Sequence, residues 1–285
     1  MFLDQVTPLI LSFNEESNLS RTLAKLAWAG DIVVVDSFSE DGSADIAKSF
    51  AAVRFFQRTF DTHKNQWNFG LFDTEIQTQW VLALDADYVL TDQLITELES
   101  LQPEETTNGF SANFTYCING KPLRSGIYPS VTVLYRRHCA SYEQDGHTQR
   151  LRIFGEVRHL NSRILHDDRK PLGSWFISQA RYTELEACKL LAAKRADLPW
   201  PDRLRCLCIV SPLLMFFYCL FVRRGILDGW AGFRYAFERT IAELMLSLRL
   251  IQHRLEFQNA PKTQEDQDSR FERVEAPTDL EIQNL

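Results

Sequence analysis

The sequence lacks several features that would assign it to a familiar class of protein. It has no excess of basic residues, because 31 Lys and Arg stand against 38 Asp and Glu, and the formal net charge of -7 excludes a typical nucleic-acid binder. Its six cysteines include no CxxC pair, which excludes a usual zinc knuckle, and we expect reduced, buried thiols. Residues 1–5 have no basic flank, so we expect no secretory signal and a globular part that faces the cytoplasm.

The first hundred residues alternate between short apolar runs and segments with helical spacing. Apolar runs without a helical period predict buried strands, and strands that alternate with helices of about ten residues predict a parallel sheet with right-handed crossovers. The predicted strands are 6–13, 32–35, 53–57 and 80–84, and the predicted helices are 18–28, 42–50, 65–78 and 92–101. In such sheets, ligands bind beyond the carboxyl ends of the strands.

Acidic residues follow three of these predicted strands at the point where each strand ends. Glu15 follows the first strand, Asp36 the second, and Asp85 and Asp87 the fourth. One acid at a strand end is commonly a helix cap, but three strands that deliver carboxylates to one edge favour a binding site. Two carboxylates one residue apart can converge on a hard divalent cation, or one can take a ribose hydroxyl instead. Because such a cation keeps phosphate oxygens in its shell, this pattern predicts a metal–diphosphate site.

Beyond Gly109 the pattern changes to shorter, partly alternating strands that are separated by glycines. We predict strands at 110–118, 130–135 and 155–165. These strands should extend the sheet and build the second side of a cleft.

The C-terminal third of the chain contains a long apolar run. Residues 206–222 are 17 uncharged, mostly apolar residues, with Pro212 inside the run. Arginines flank the run on both sides, at positions 203, 205, 223 and 224. The run is at the short limit for a transmembrane helix, so it favours an interfacial or re-entrant position at a membrane. The alternative is a buried helix of a soluble domain.

These patterns divide the chain into three parts. We predict an α/β domain that contains the binding cleft, a helical region that associates with a membrane, and a polar tail. Their bounds are 1–175 (with halves 1–108 and 109–175), 176–257 and 258–285.

Three motifs resemble one family of enzymes. The sequences TPLILSFNEE at 7–16, VVVDSFSEDGS at 33–43 and LDAD at 84–87 are similar, in this order, to the family-2 glycosyltransferases of GT-A fold. The resemblance implies a GT-A (Rossmann-like) mixed sheet flanked by helices. Features at 146–147, 155–157, 164–166 and 225–229 resemble the bacterial lipopolysaccharide-core β-glucosyltransferases and their relatives.

The resemblance also implies roles for residues on the nucleotide side. Phe13 and Glu15 should line the uridine and ribose pocket, and Asp36 should accept a hydrogen bond from the N3–H of the base. For Asp36 the alternative is the N-cap of the next helix. Lys64 could contact phosphate, with a solvated role as the alternative, and Asp85 should approach the ribose or the metal.

The metal site is implied in the same way. Asp87 should bind a divalent cation, Mn²⁺ or Mg²⁺, and the family often takes a further ligand from a position like that of His166. A lone histidine is otherwise only a polar residue.

The general base is the least defined part of the expected site. An inverting transfer needs a group that takes the proton of the acceptor hydroxyl. Asp145 is the first candidate and His147 the second, although the two can equally belong to a turn. Thr148 stands where many relatives have a Glu after the histidine, and Tyr88 stands where relatives often have an acid. The Gln-x-x-Arg-Trp motif of processive synthases is missing, which favours transfer of a single sugar.

We therefore expect an inverting glycosyltransferase that uses a UDP-sugar. Its acceptor would be a membrane-linked glycan or glycolipid such as lipopolysaccharide core, and its place the cytoplasmic side of the inner membrane. The alternative is a non-catalytic nucleotide-sugar-binding or membrane-scaffold protein that has lost its base. A nucleotidyltransferase is disfavoured because no Gly-rich phosphate loop follows the first strand.

Overall fold

The computed structural model describes residues 1–145 and 148–259, with backbone alone at 144, 145, 148 and 257–259. The chain divides into two compact units, Met1–Lys170 and Pro171–Leu285. All six cysteines are free, and Cys117, Cys208 and Cys219 are buried.

The first half of the first unit is the predicted parallel sheet. Strand β1 lies between β2 and β4, and β3 pairs with the far side of β2, all in parallel register. The strands are β1 (Val6–Ser12), β2 (Ile32–Asp36), β3 (Val53–Gln57) and β4 (Trp80–Asp85), and the connecting helices are α1 (Leu19–Ala24), α2 (Ser43–Lys48) and α3 (His63–Phe72). Every residue of β2 is buried, because helices cover both faces of the sheet.

The helices end earlier than the sequence pattern predicts. Helix α3 stops at Phe72 rather than at 78, because the Thr74 hydroxyl donates a hydrogen bond to the carbonyl of Gly70 (2.6 Å) and Glu75 adopts a left-handed φ of 54°. A residue in that conformation cannot continue a right-handed helix. Helix α1 likewise ends at Ala24 rather than at 28.

The second half extends the sheet with antiparallel and parallel neighbours. The sheet order is β3-β2-β1-β4-β8-β6-β11-β5, with β7 on β6, and β9 and β10 form a separate two-stranded sheet. The elements are β5 (Tyr88–Leu90), α4 (Asp92–Glu99), β6 (Thr107–Ile118), β7 (Lys121–Pro122), β8 (Val131–Arg136), β9 (Ala140–Asp145), β10 (Thr148–Ile153) and β11 (Glu156–His166). Strand β8 is antiparallel to both β4 and β6, whereas β11 is parallel to β6. The predicted class, a mixed α/β sheet flanked by helices of the GT-A type, is confirmed.

Two buried clusters fix this sheet, one on each face. Ile10 and Val34 point into the cluster around Trp80, whose ring lies 5.4 Å from that of Phe2. Leu9, Val33 and Val35 point into the opposite cluster. Successive side chains of a buried strand therefore enter opposite cores, and this explains why the strands are mostly apolar along their whole length.

The second unit is helical, and it corrects the expectation of one apolar segment at 206–222. Its elements are α5 (Leu172–Ala192), α6 (Trp200–Arg205), α7 (Val210–Phe217), a π-helical turn (Tyr218–Val222), a 3-10 turn (Gly225–Asp228) and α8 (Trp230–Asn259). The run is broken at Cys208, where φ is 51°, so its first residues form a turn. Among the residues that the structure describes, no helix combines the length and the apolar character needed to cross a membrane.

Polar contacts to the buried Glu243 hold α6 and α7 on α8. Glu243 accepts hydrogen bonds from the Ser211 hydroxyl (2.7 Å) and from Nε of Arg205 (3.2 Å). Gly232 admits the preceding turn, because a Cβ atom there would lie 1.9 Å from the carbonyl oxygen of Gly225. A larger residue at 232 would therefore separate the 3-10 turn from α8.

Candidate functional site

The loops that follow β1 and β2 are tied to each other. The amide of Asn14 donates to Oγ of Ser39 (2.8 Å), and the amide of Glu15 donates to Oγ of Ser43 (2.7 Å). In return, Oδ1 of Asn14 accepts from the amide of Glu40 (2.9 Å). Since β1 and β2 are adjacent and parallel, these bonds make one rigid edge from two loops.

Asp36 lies at the base of this edge and is completely buried. Its carboxylate accepts from the amide (2.8 Å) and the hydroxyl (2.5 Å) of Ser39, and more distantly from Nε2 of Gln57 (3.4 Å). It does not cap α2, whose N-cap residue is Gly42. A carboxylate has about four lone-pair directions, so these three bonds leave room for a further donor.

Two aromatic rings are exposed at the same edge. Phe13 follows β1 and is 54% exposed, and Phe38 follows β2 and is 51% exposed. Phe38 also has a φ of 61°, a conformation that bulky residues rarely adopt. Exposed aromatic surface and an unusual backbone conformation together are typical of binding loops.

Asp87 and His166 are brought together by strand pairing. Strand β5 starts directly after Asp87 and runs antiparallel to β11, with Tyr88 opposite His166. The amide of Asp167 donates to the carbonyl of Asp87 (3.1 Å), and Nε2 of His166 lies 2.9 Å from Oδ2 of Asp87. The register of a three-residue strand therefore places two residues side by side that are 79 positions apart in the sequence.

The Asp87–His166 pair favours the charged form of both partners. Burial acts against this, but the neighbouring His166 outweighs it and holds the pKa of Asp87 below its ordinary value. In the same way, burial alone would lower the pKa of His166, while the charge of Asp87 raises it. The imidazole packs edge-on against the rings of Tyr88, Tyr116 and Tyr128, at centroid distances of 5.4, 4.9 and 4.7 Å. Its buried Nδ1 atom has no hydrogen-bond partner among the described residues.

Lys170 places a cation beside these acids. Its Nζ atom lies 2.5 Å from Oε1 of Glu15 and 3.4 Å from the carbonyl of Phe13. Burial opposes the charge of this lysine, but Glu15 outweighs it and raises the pKa of Lys170. Burial raises the pKa of Glu15 to about 7, with Asp87 adding to the rise and Lys170 opposing it. The positive charge of Lys170 thus offsets part of the negative charge of Glu15 and Asp87.

Asn18 fixes the loop that carries Lys170. This buried side chain donates from Nδ2 to Glu15 (2.8 Å) and to Asp168 (2.8 Å). Its Oδ1 accepts from Nη2 of Arg21 (2.7 Å) and from the amide of Arg169 (2.9 Å). One amide therefore joins the segment after β1 to the segment after β11.

The donor set fits a divalent cation in part. Among the described residues, no group of three or more His, Cys, Asp or Glu side chains is arranged to hold a metal. However, Oδ2 of Asp87 and Nε2 of His166 lie 2.9 Å apart, close to the roughly 3 Å that separates two neighbouring ligands of one Mn²⁺ or Mg²⁺ ion. The pair fits two positions of such an ion once Nε2 of His166 releases its proton, and phosphate or water oxygens would have to complete the shell.

Asp85 lies at the end of β4 beside this pair. Burial, with the charge of Asp87 adding to it, raises the pKa of Asp85 to about 6. Because this carboxylate gives up a proton less readily than an ordinary Asp, the neighbourhood favours a bound cation that would offset the two negative charges.

The remaining predicted site residues are Lys64, Asp145 and His147. Lys64 is exposed in the first turn of α3, whose N-cap is Thr62. Asp145 ends β9, where its backbone pairs with Thr148, but its side chain lies outside the described residues, as does the whole of His147. The proposed base remains a prediction.

The hairpin that carries Asp145 is nevertheless firmly held on α3. The Asn68 side chain exchanges two hydrogen bonds with the backbone of Tyr142, at 3.1 and 3.0 Å. The Tyr142 ring stacks on Trp67 at 5.2 Å, and its hydroxyl lies 2.9 Å from that of Tyr135. These buried contacts fix the strand three residues before Asp145.

Sequence reasoning did not identify Lys170, Asn18 or the tyrosines around His166 as parts of the site. A signal was present for Lys170, because the segment His-Asp-Asp-Arg-Lys at 166–170 is five polar or charged residues in a row directly after a strand. Asn18 carried no such signal, since its role depends on a loop that lies 150 residues later in the sequence.

Comparison with known protein families assigns the part of the chain that carries the acidic strand ends. The model of glycosyl transferase family 2 matches residues 9–154, from β1 to the end of the β9–β10 hairpin. The chain belongs to this family and is a glycosyltransferase.

Individual relatives are more distant. A lipopolysaccharide core biosynthesis glycosyltransferase, LpsC of Rhizobium meliloti (strain 1021), is 29% identical over 103 residues, which are 35% of this chain and 36% of LpsC. The alignment thus spans about a third of that curated relative.

The solved structures that match this chain include two with a bound nucleotide or nucleotide-sugar. S. aureus TarS 1-349 in complex with UDP-GlcNAc has 13% identity and a TM-score of 0.46, with 88% of this chain and 92% of that chain covered. Glucosyl-3-phosphoglycerate synthase from Mycobacterium tuberculosis, in complex with Mn²⁺, UDP and phosphoglyceric acid, has 12% identity and a TM-score of 0.42, with 64% and 76% covered.

Proposed function

We propose that this glycosyltransferase transfers one sugar, with inversion, from a UDP-sugar to a membrane-linked glycan or glycolipid, and that it uses Mn²⁺ or Mg²⁺. The observation that carries the proposal is the meeting of Asp87, His166, Glu15 and Lys170 at the carboxyl edge of the parallel strands. A lipopolysaccharide core is the acceptor that the similarity to LpsC suggests.

The uridine is proposed to bind over the two tied loops. The exposed ring of Phe13 offers an apolar face to the base, and Asp36 below it would accept a hydrogen bond from N3–H. Glu15, two residues after Phe13 in the same loop, is proposed to accept a hydrogen bond from a ribose hydroxyl. Cytosine has no N3–H, so this arrangement selects a uridine nucleotide.

The diphosphate is proposed to lie between the Asp87–His166 pair and Lys170. Asp87 and His166 would hold the metal, which supplies positive charge for the leaving diphosphate when it is bound. Lys170 would donate hydrogen bonds to the phosphate oxygens, and Asn18 would keep the lysine in place through Glu15 and Asp168. Lys64 at the exposed start of α3 is a further candidate for a phosphate contact.

The acceptor hydroxyl must lose a proton as its oxygen attacks the anomeric carbon. We assign this step first to Asp145 and second to His147. The fixed position of β9 on α3 supports this assignment, since a base must be held in place relative to the donor.

The uridine assignment predicts a loss of base selectivity in Asp36→Asn. We expect calorimetry to find that the wild type binds UDP more tightly than CDP, and that the variant binds UDP roughly tenfold or more weakly, because a charge-assisted hydrogen bond is lost. Ser39→Ala is the matched control, because it removes a hydrogen bond to Asp36 and keeps the carboxylate. If Asp36→Asn keeps the full preference for UDP, Asp36 does not read the base.

The second unit is proposed to lie on the cytoplasmic surface of the inner membrane. Apolar side chains of the segment 209–230 are strongly exposed, and they include Ile209 (76%), Leu213 (60%), Phe217 (53%), Phe221 (57%), Val222 (67%), Leu227 (61%) and Trp230 (89%). Arg223 and Arg224 are exposed in the same segment. Apolar side chains with adjacent arginines and tryptophan fit the interface of a bilayer that carries anionic lipids.

The membrane proposal predicts that the double variant Leu213→Asp/Phe221→Asp no longer binds vesicles. Sedimentation with vesicles of phosphatidylglycerol and phosphatidylethanolamine should recover the wild type in the pellet and the variant in the supernatant. Phe154→Asp is the control, because this 75% exposed ring belongs to the first unit. A wild type that stays in the supernatant at low salt would contradict the proposal.

A further inference from the structure

We propose that a cavity behind strands β5 and β11 is a second anion site, which binds the phosphoryl or carboxylate group of a small sugar-like ligand. The cavity has a volume of about 530 Å³, and its lining includes Arg21, Lys25, Arg169, Asp167, Val89 and Leu165. Its volume lies within the range of small-molecule pockets. The site goes beyond the proposed function, because no residue assigned to the donor lines it.

The charge of the lining is the first reason for this inference. Three of the lining side chains are cations, and Asp167 is the one carboxylate among them. Asp167 accepts from Nη1 of Arg21 (2.6 Å), from Nε of Arg169 (2.9 Å) and from the amide of Gly120 (2.8 Å). One carboxylate cannot neutralise two guanidinium groups, so positive charge is left over in a chain whose formal net charge is -7.

A donor without a partner is the second reason. Nε of Arg21 is buried and has no hydrogen-bond partner among the described residues, whereas both of its terminal nitrogens are used. Buried polar groups in native structures are generally satisfied, and an exception calls for an explanation. Because the Nε atom itself is buried, an oxyanion in the cavity would reach the 26% exposed side chain of Arg21 at a terminal nitrogen and offset the unsatisfied donor through its negative charge.

The backbone leaves room for the second guanidinium. Gly120 has a φ of 78°, and a Cβ atom there would lie 2.7 Å from Nη2 of Arg169. Glycine at this turn therefore allows the Arg169 side chain to lie flat against the backbone and to face the cavity. Both guanidinium groups are anchored through the same carboxylate, which pre-organises them for a planar or tetrahedral anion.

Lys25 can join the anion at little cost. Its Nζ atom pairs with Oδ1 of Asp92 at 2.7 Å, and that carboxylate is 82% exposed. Exposed pairs of this kind contribute little to stability, so the lysine can turn toward a ligand. Val89 and Leu165 supply an apolar wall, which suits the carbon skeleton of a sugar rather than a bare inorganic ion.

The experiment uses the full chain with saturating UDP, so that the donor site is filled. Binding of glucose 6-phosphate, glucuronate and uncharged glucose is measured by calorimetry. We expect at least one of the two anions to bind and glucose not to bind, and the anion that binds identifies the group. Arg169→Ala should weaken this binding at least tenfold and Lys25→Ala about threefold, with UDP affinity unchanged.

Arg158→Ala is the matched control, because Arg158 and Arg169 are both ion-paired and similarly exposed, at 39% and 42%. Arg158 lies near the start of β11, whereas Arg169 follows the end of that strand. The inference is overturned if neither anion binds the wild type, or if Arg169→Ala and Lys25→Ala bind the anion as tightly as Arg158→Ala does. The titrations are repeated without UDP. A wild type that binds the anion but not UDP would therefore contradict the proposed donor and leave this site supported.

Discussion

Replacing Asp87 with alanine is expected to lower sugar transfer by roughly 10²–10³-fold, the range seen when one group that stabilises developing charge is removed. Asp87 lies at the end of the parallel sheet, holds His166 at 2.9 Å and has a pKa below its ordinary value, so it is ionised and available to a cation. Its loss also removes the charge that raises the pKa of His166. The pKa of His166 would then fall and its imidazole would become neutral more readily, so the expected loss of metal affinity comes from the missing Asp87 carboxylate.

The measurement is the release of UDP from UDP-sugars in the presence of Mn²⁺ or Mg²⁺. Asp4→Ala is the control, because it also replaces an aspartate with alanine. Asp4 is exposed and precedes β1, at the end of the strand opposite to the site. Equal release by Asp87→Ala and the wild type would remove the metal role of Asp87. Tight UDP binding by the wild type without transfer to any glycolipid would favour the non-catalytic alternative instead.

Replacing Lys170 with methionine is expected to weaken UDP binding about 10- to 100-fold, since a hydrogen bond to a charged group contributes about 1.5–3 kcal/mol. The substitution removes the cation proposed for the diphosphate and keeps most of the side-chain volume. It also leaves Glu15 without the partner that lowers its pKa, so the pKa of Glu15 should rise further from about 7. Glu15 would then be largely protonated at neutral pH.

A double-mutant cycle separates the two effects of Lys170. Glu15→Gln combined with Lys170→Met should recover the thermal stability lost in Lys170→Met alone, because glutamine at this position needs neither a cation nor the uptake of a proton on folding. It should not recover UDP affinity, because the phosphate contact is still missing. Lys48→Met, at an exposed position on α2, is the control. UDP affinity that is unchanged in Lys170→Met would contradict the phosphate contact.

The parallel half of the fold could be predicted because its physical signals are local. Strands β1, β2 and β4 are buried on both faces, so each is a mostly apolar run in the sequence. The helix ends could not be predicted in the same way. Helix α3 is ended by the contact between Thr74 and Gly70 and by the left-handed Glu75, and neither is visible in the hydrophobic spacing.

The acids of the site could be predicted for the same reason, because each follows its strand directly. The contacts that organise them could not. The meeting of Asp87 and His166 depends on the register of β5 against β11, and the Glu15–Lys170 pair depends on a loop fixed by Asn18. These are long-range pairings that no local pattern contains. The β9–β10 hairpin was also missed, since its strands ASYEQD and TQRLRI are mostly polar and contain no apolar run.

The apolar run at 206–222 shows the limit of composition as evidence. Its hydropathy indicated a membrane-associated segment, and its side chains are indeed widely exposed, but its backbone is a turn, a short α-helix and a π-helical turn. The left-handed Cys208 divides what the composition presents as one element, whereas Pro212 lies in the first turn of α7. The pattern therefore predicts which surface is apolar better than it predicts the shape of the segment.

The most direct test of the donor site is a crystal structure of the full chain with UDP and Mn²⁺. We expect a metal ion held by Asp87 and His166, a diphosphate that contacts this ion and Lys170, and a uracil whose N3–H faces Asp36. A UDP molecule bound away from the carboxyl edge of β1, β2 and β4, or a diphosphate without contact to Asp87 through the metal, would contradict it.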